Sequence, residues 1–294
     1  MTFSFPMMKA FQRWDSWWMR TGPPHALALF RIGFGAYLVL EALTYLPHAS
    51  VLFSTAGLVL PLQLGIPVPL PWLAYVLTSG FVAAAAMLAI GYRMRLALCI
   101  LIAYFLYYWQ LSFYAFPSSY HRIFFLSFLF LLLGGADKTL SLRMKMERGA
   151  WSAWEPVCLL PQRLIAVQLT ATYAVVGAQK WWLPHWQDGD VLYYSFIGRW
   201  GTPLALWFVS LDWSRGTYDA VTLGTKFFET LMPVGVWIPR YRWFFFVGGF
   251  VFHLLVASFL SIWWFLVLPP AYVAFIEPEE VHAWLRRRFP SIMR

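Results

Sequence analysis

Between Pro24 and Pro47 the chain reads HALALFRIGFGAYLVLEALTYL. Its length, about twenty residues, is what an α-helix needs to cross the hydrocarbon core of a bilayer. Stretches of this kind recur along the chain, and the recurrence limits the fold more than any other feature. A bilayer core offers no water, so backbone N–H and C=O groups there must be satisfied within helices or a closed barrel. Period-two alternation is weak and strand-length segments are scarce, which sets the barrel aside. Hydrophobic residues make up 61% of the chain and charged residues 12%, with mean hydropathy +0.61. Soluble domains are far less apolar. The expected fold class is therefore all-α, a polytopic integral membrane helical bundle of about 8 transmembrane helices, within a range of about seven to nine.

The expected spans are residues 26–46, 72–91, 95–115, 120–135, 162–182 and 218–238, followed by 243–275. The last is too long for one crossing and is expected to break near Ser258 to Ser261 into a hairpin. Residues 47–71 are apolar, proline-rich and free of Lys, Arg, Asp and Glu. The stretch WGTPLALWFVSLDW, residues 200–213, reads either as an interfacial or re-entrant piece or as a ninth span. Basic residues gather at both ends and in short links: GYRMR, the loop 136–163, PRYR at 239–242 and the terminal RRR. Placing all of them inside obeys the positive-inside rule and puts both termini in the cytoplasm.

The same distribution accounts for the net charge of +9. No basic face with interleaved aromatics is present, so nucleic acid is not an expected partner. Cys99 and Cys158 form no CxxC, and neither a disulfide framework nor a zinc site is indicated. The first residues do not read as a cleavable signal peptide. Phe11, Trp14 and Trp18, with Lys9, Arg13 and Arg20 around them, read as a short interfacial helix within residues 1–25.

Soluble catalytic motifs are absent, so any chemistry must be assembled from helices. Lys180 leads the candidates. Tyr173, Gly177 and Lys180 fall at i, i+4 and i+7 and share a helix face, with Gly177 leaving room beside the amine. A lysine before Trp181 and Trp182 also reads as an anchor snorkelling to headgroups, and the residues alone leave both readings open. His121, opening its span, and His253, inside an apolar leg, are each either satisfied structural histidines or pocket groups. The topology puts Lys180, His121 and His253 at one depth on the extracytoplasmic side. Lys226 and Glu229, at i and i+3, are expected to pair with each other. Arg31 is expected to snorkel near the inner boundary. His185, Asp188 and Asp190 read as a solvated turn, and no metal site is expected.

Five segments in order resemble one family: RTGPPHALALFRIGFGAYLVLEA at 20–42, LAIGYRMRLALCI at 88–100, YHRIFFLSFLFLLLGGADKTLSL at 120–142, QLTATYAVVGAQK at 168–180 and FHLLVASFLSIWWF at 252–265. Together they resemble the membrane domain of vitamin K-dependent γ-glutamyl carboxylases and their bacterial relatives, the horizontally transferred transmembrane (HTTM) proteins. The resemblance implies a single domain over 1–294, with a basic cytoplasmic tail at 276–294 and no extracytoplasmic substrate-binding domain following the bundle. In that family a lysine deprotonates vitamin K hydroquinone, and the base then generated with oxygen removes a γ-proton from a glutamate that takes up carbon dioxide. The roles fall on Lys180 and His121 as catalytic residues, and on Tyr173, His253 and Gly177 as cofactor-binding ones. Several positions depart from the pattern: Gln179 replaces the first lysine of a lysine pair, Tyr120 replaces an asparagine before the histidine, and Val256, Ala257 and Ser258 stand where polar residues follow the family's second histidine. The large extracytoplasmic domain that binds the substrate propeptide in the carboxylases is not expected here.

The functional expectation is a carboxylase-like membrane enzyme of the plasma or inner membrane. A vitamin K-type hydroquinone (menaquinol or similar) is its expected cofactor, and membrane lipid or quinone and a peptide or protein substrate are its expected partners. The alternative is a lipid- or quinone-binding protein, or an accessory of peptide maturation or export, without carboxylation. A haem held between His121 and His253 ranks below both.

Overall fold

Prolines and glycines set most of the helix ends. Proline has no N–H to offer the helix interior but fits its first turn, and glycine accepts the left-handed conformation that closes a helix. A computed structural model describes residues 14–61, 65–111 and 119–291. Helix α1 (His25–Tyr45) follows Pro23-Pro24. α2 (Pro71–Ile90) starts on its own proline and ends at Gly91, whose φ is 68°. The Tyr92 N–H reaches back to the Met87 carbonyl across that turn. α3 (Met94–Leu111), α4 (Ser119–Leu133) and α5 (Leu142–Arg148) follow. Then come α6 (Leu160–Trp182), α7 (Asp190–Ile197), α8 (Pro203–Ser210), α9 (Arg215–Gly235) and α10 (Pro239–Leu260). After α10 the chain continues as short helical pieces over Trp263–Phe275, and α11 (Pro278–Arg288) closes it. The only strand pairing among the described residues joins β1 (Thr21–Gly22) to β2 (Val157–Cys158), antiparallel.

The fold is thus all-helical. Four helical stretches are long and apolar enough to cross a membrane: His25–Phe53, Pro71–Ile90, Met94–Leu111 and Pro239–Leu260. The expected break holds at Ser261, which ends α10 with a φ of 53°. A ninth span over 200–213 does not form. α8 has eight residues, about 12 Å of helix against the roughly 30 Å of a hydrocarbon core. It is tied to the end of α10 by Thr202, whose hydroxyl caps Ala205 and donates to the Ser258 carbonyl at 2.7 Å. Of the expected interfacial helix, residues 14–19 are helical, while Lys9, Phe11 and Arg13 lie outside the described residues, as do residues 112–115 of the third expected span.

The chain divides into two compact units, residues 1–165 with 276–294, and residues 166–275. In the first unit α1 and α2 meet where a Cβ on Gly35 would sit 2.7 Å from the Ala89 backbone. Small residues permit such close backbone approach between apolar helices. Arg31, fully buried, does not snorkel. Its guanidinium donates to the carbonyls of Leu88 (2.7 Å), Ala89 (2.5 Å), Ala136 (3.1 Å) and Leu140 (2.7 Å). Leu88 and Ala89 belong to the last turn of α2, whose carbonyls have no partner within the helix. One arginine therefore satisfies a helix end and a loop where water is excluded.

The described part of the tail, residues 276–291, is docked. α11 buries Val281 and Leu285, four residues apart on one face, and carries Glu279 and Glu280 in its first turn and three arginines in its last. This charge order complements the helix dipole. Just before it, Glu277 accepts from buried Arg163 at 2.8 Å and pairs with Arg20. His282 Nδ1 lies 3.3 Å from His25 Nε2 at the start of α1.

Candidate functional site

In the second unit α6 meets α9 at Gly177. A Cβ there would lie 2.9 Å from the carbonyl carbon and oxygen of Glu229 and from the Thr230 nitrogen. The two backbones touch at that point, and one turn further along α6 the side chain of Lys180 is delivered onto Glu229. The two form an ion pair in which Lys180 is 8% and Glu229 6% exposed. The amine also sits 4.7 Å above the Trp186 ring. Lys180 is thus turned into the unit rather than out to headgroups.

The expected pairing of Lys226 with Glu229 does not form. Lys226 instead donates to the Trp186 carbonyl at 3.1 Å and lies 4.5 Å over the Trp181 ring. The reason is local: α6 ends at Trp182 and its continuation turns through Pro184–Trp186, which presents an unsatisfied carbonyl to Lys226. Glu229 is left to the lysine that Gly177 admits. Trp181 completes the contact by donating to Thr230 Oγ1 at 2.9 Å.

Two turns below Lys180, Tyr173 is buried with its hydroxyl 2.6 Å from His253 Nε2 and 2.7 Å from the Tyr272 hydroxyl. α6, α10 and the segment after α10 thus meet in one polar chain. Gly249 makes this possible, because a Cβ there would stand 2.5 Å from the Tyr272 hydroxyl. If Tyr272 donates to Tyr173 and Tyr173 to His253, the second imidazole nitrogen carries the proton. That nitrogen, Nδ1, is buried with no hydrogen-bond partner among the described residues. A buried polar atom without a partner is rare and costs roughly 1–3 kcal/mol.

α9 and α10, together with α7 and α8, wall an apolar cavity of about 270 Å³, lined among others by Phe196, Val221, Thr225, Phe252 and Val256. Thr225 stands one turn from Glu229 on α9, and Val256 one turn from His253 on α10. An ion pair, an unpartnered imidazole nitrogen and an apolar cavity therefore share α9 and α10.

His121 belongs to the first unit. It is 1% exposed, with its ring 3.9 Å from that of Tyr120 and 5.6 Å from that of Phe105. It lines a cavity of about 20 Å³, room for one water-sized species, together with Glu41, Tyr45 and Tyr108. Glu41, 3% exposed, accepts from the Tyr45 hydroxyl at 3.1 Å. Of the other residues singled out, Asp188 and Asp190 face Arg215 at 3.2 and 3.5 Å.

Four of the five expected site residues, Tyr173, Gly177, Lys180 and His253, thus lie in the second unit, and His121 lies in the first. Sequence reasoning missed Glu229 as the partner of Lys180, and Tyr272 altogether. The signal for Glu229 was present, since a carboxylate inside an apolar helix needs a cation and Lys180 was the buried candidate. Compared with known proteins, the chain matches no family model, no curated protein and no solved structure.

Proposed function

We propose that the protein is a membrane-embedded enzyme of the carboxylase-like type, with a proton-transfer site at Lys180 acting on a quinol or similar lipid-like hydroxyl. In this reading α1, α2, α3 and α10 cross the bilayer together with α4, α6, α9 and the return leg Trp263–Phe275. That makes about eight crossings, with both termini in the cytoplasm. A cysteine placed at Ser152 then reacts with impermeant maleimide from the cytoplasmic side, and one placed at Gln187 from the other.

The observation that carries the reading is the inward, ion-paired Lys180. An amine held against a carboxylate can hand its proton to that carboxylate and become a base without leaving an uncompensated charge in an apolar medium. Lys180 passes its proton to Glu229, and the freed amine accepts one from a substrate hydroxyl. His253, oriented by Tyr173 and Tyr272, offers Nδ1 to an oxygen of the same molecule. Gly177 keeps α6 close enough to α9 for the pair to persist.

In this reading Lys180 and His253 would hold the hydroxyls of a vitamin K-type hydroquinone, and the apolar cavity one helical turn from Glu229 and His253 would take its ring and chain. Such a group supplies, when bound, an acidic phenolic O–H and reducing electrons for oxygen. The resemblance noted above extends the reading to a peptide glutamate as the substrate that loses a proton and takes up carbon dioxide. The test supplies the purified protein in liposomes with reduced menaquinone, oxygen, a glutamate peptide and labelled carbon dioxide. Label should enter the peptide with the native protein and not with Lys180→Met, while quinol still copurifies. No label with the native protein removes the carboxylase reading.

A second reading, a quinone- or lipid-binding protein without carboxylation, is favoured by one observation. The Lys180 amine already has a carboxylate partner, and Gln179 and Tyr120 stand where the family pattern has polar helpers. Quinol that copurifies without label incorporation selects it.

A further inference from the structure

The first unit holds a second cavity, of about 850 Å³, with no part in the chemistry above. One wall is the turn between α2 and α3, and the other runs from the end of α4 through α5. The walls are locked together: the Arg143 N–H donates to the Gly91 carbonyl at 3.3 Å, and Arg31 ties the end of α2 to Ala136 and Leu140. A Cβ on Gly91 would meet Ser141 at 2.5 Å. The cavity is therefore built into the fold rather than left between mobile loops.

Its charges are unevenly satisfied. Arg143 is held by Asp137 and Glu147, each at 3.0 Å, and Lys138 faces Glu155 at 3.6 Å. Arg93 and Arg95 line the cavity with no carboxylate partner among the described residues; Arg93 only lies 5.7 Å over the Tyr92 ring. The same cavity is lined by two exposed apolar side chains, Leu96 at 48% and Leu133 at 67%. Two unpaired guanidiniums bordered by exposed leucines form an amphipathic surface. It lies at the ends of α2 and α3, both long and apolar enough to cross a membrane.

We propose that this cavity binds an anionic phospholipid, with Arg93 and Arg95 on the headgroup phosphate and an acyl chain along Leu96 and Leu133. Guanidiniums match phosphate oxygens in geometry as well as charge. The leucines select a lipid over a free anion, since inorganic phosphate gains nothing from them. The proposal depends on the chain lying in a bilayer and not on the chemistry at Lys180.

The test is native mass spectrometry of the full chain in neutral detergent, titrated with phosphatidylglycerol, phosphatidylcholine or inorganic phosphate. One phosphatidylglycerol should bind at least tenfold more tightly than phosphatidylcholine. Replacing both cations, Arg93→Gly with Arg95→Gln, should weaken it about twenty-five-fold, at about fivefold per cation near a charged surface. Glycine accepts the φ of 42° at position 93, so this variant relieves backbone strain rather than adding it. Arg93→Lys with Arg95→Lys should retain most of the binding, and removing two exposed charges elsewhere, Arg240→Gln with Arg287→Gln, should leave it unchanged. Equal binding of the two lipids, equal losses in the two charge-removing variants, or competition by inorganic phosphate at lipid-like concentrations would each overturn the proposal.

Discussion

Each unit buries more than one long cation, and two of them, Arg31 in the first and Lys180 in the second, are satisfied in opposite ways. Arg31 donates to four backbone carbonyls and to no carboxylate, and Lys180 faces one carboxylate, Glu229. Arginine keeps its charge at any physiological pH, and carbonyls neither gain nor lose protons, so the Arg31 cluster has a single state. Its work is architectural: it closes the end of α2 and fixes the loop at 136–140. Lysine and glutamate can each exist charged or neutral. In the reading proposed above, a proton can pass between the two members of the pair, which a proton-transfer site requires. Burial of a cation does not by itself mark function.

The comparison can be broken in several ways. The largest effect is expected from Arg31→Met, which strands the carbonyls of Ala89, Ala136 and Leu140 in an apolar interior, while Leu88 keeps the Gly91 N–H. At roughly 1 kcal/mol or more for each stranded carbonyl, the loss should exceed about 3 kcal/mol, seen as little monodisperse protein after extraction. Arg31→Lys should recover less than half, because a point charge cannot reproduce the fork. Full recovery by lysine would mean that only charge matters there.

Next come the single changes Lys180→Met and Glu229→Leu. Each leaves a buried charge alone and should cost about 3 kcal/mol, whereas the double change should return to within about 1 kcal/mol of the native protein. Thermal unfolding of the four proteins in one detergent gives the cycle. A double variant that is stable but no longer handles quinol separates function from architecture. Singles without effect would mean that the pair is hydrated.

A smaller loss, about 1–3 kcal/mol, is expected from Gly177→Ala, because the new methyl meets the rigid backbone of α9 rather than a movable side chain. The readout is again thermal unfolding, and a neutral result would place α6 and α9 further apart than described.

The smallest effect concerns the docked α11. Burial, reinforced by Arg286, holds His282 below the ordinary imidazole range. The unfolded chain then takes a proton more readily than the folded one. The contribution of this histidine is fully present above about pH 6.5 and declines as pH falls below that value. Exposure of the ring limits it to under about 1 kcal/mol. Unfolding midpoints at pH 7.5 and 5.0 should differ less in His282→Gln than in the native protein.

Much of the scaffold was legible in the residues. Pro24, Pro71, Pro239 and Gly91 mark helix ends because their backbone chemistry leaves few alternatives, and the long final apolar stretch breaks at Ser261 as its length required. The face joining Tyr173, Gly177 and Lys180 also followed from helical periodicity. What escaped depended on which helix stands beside which. Lys226 was the nearest cation to Glu229 along the chain, and periodicity knows only the chain. The four carbonyls around Arg31 come from two segments far apart in the chain, and no pattern of side chains announces a backbone acceptor. In the sequence the tail reads only as basic, although Val281 and Leu285, four residues apart, already outline the face that docks.

One feature of the chain order has a consequence for biosynthesis. The first unit is assembled from residues 1–165 and 276–294, so a long intervening segment is made before the unit has all its parts. Buried Arg163 acquires its partner Glu277 only when residues near the end of the sequence emerge from the ribosome. Until then its guanidinium needs water or another anion, and the mouth of the unit stays open. Ribosomes stalled before residue 276 should therefore hold a first unit that proteases can enter, and release of the last helix should close it.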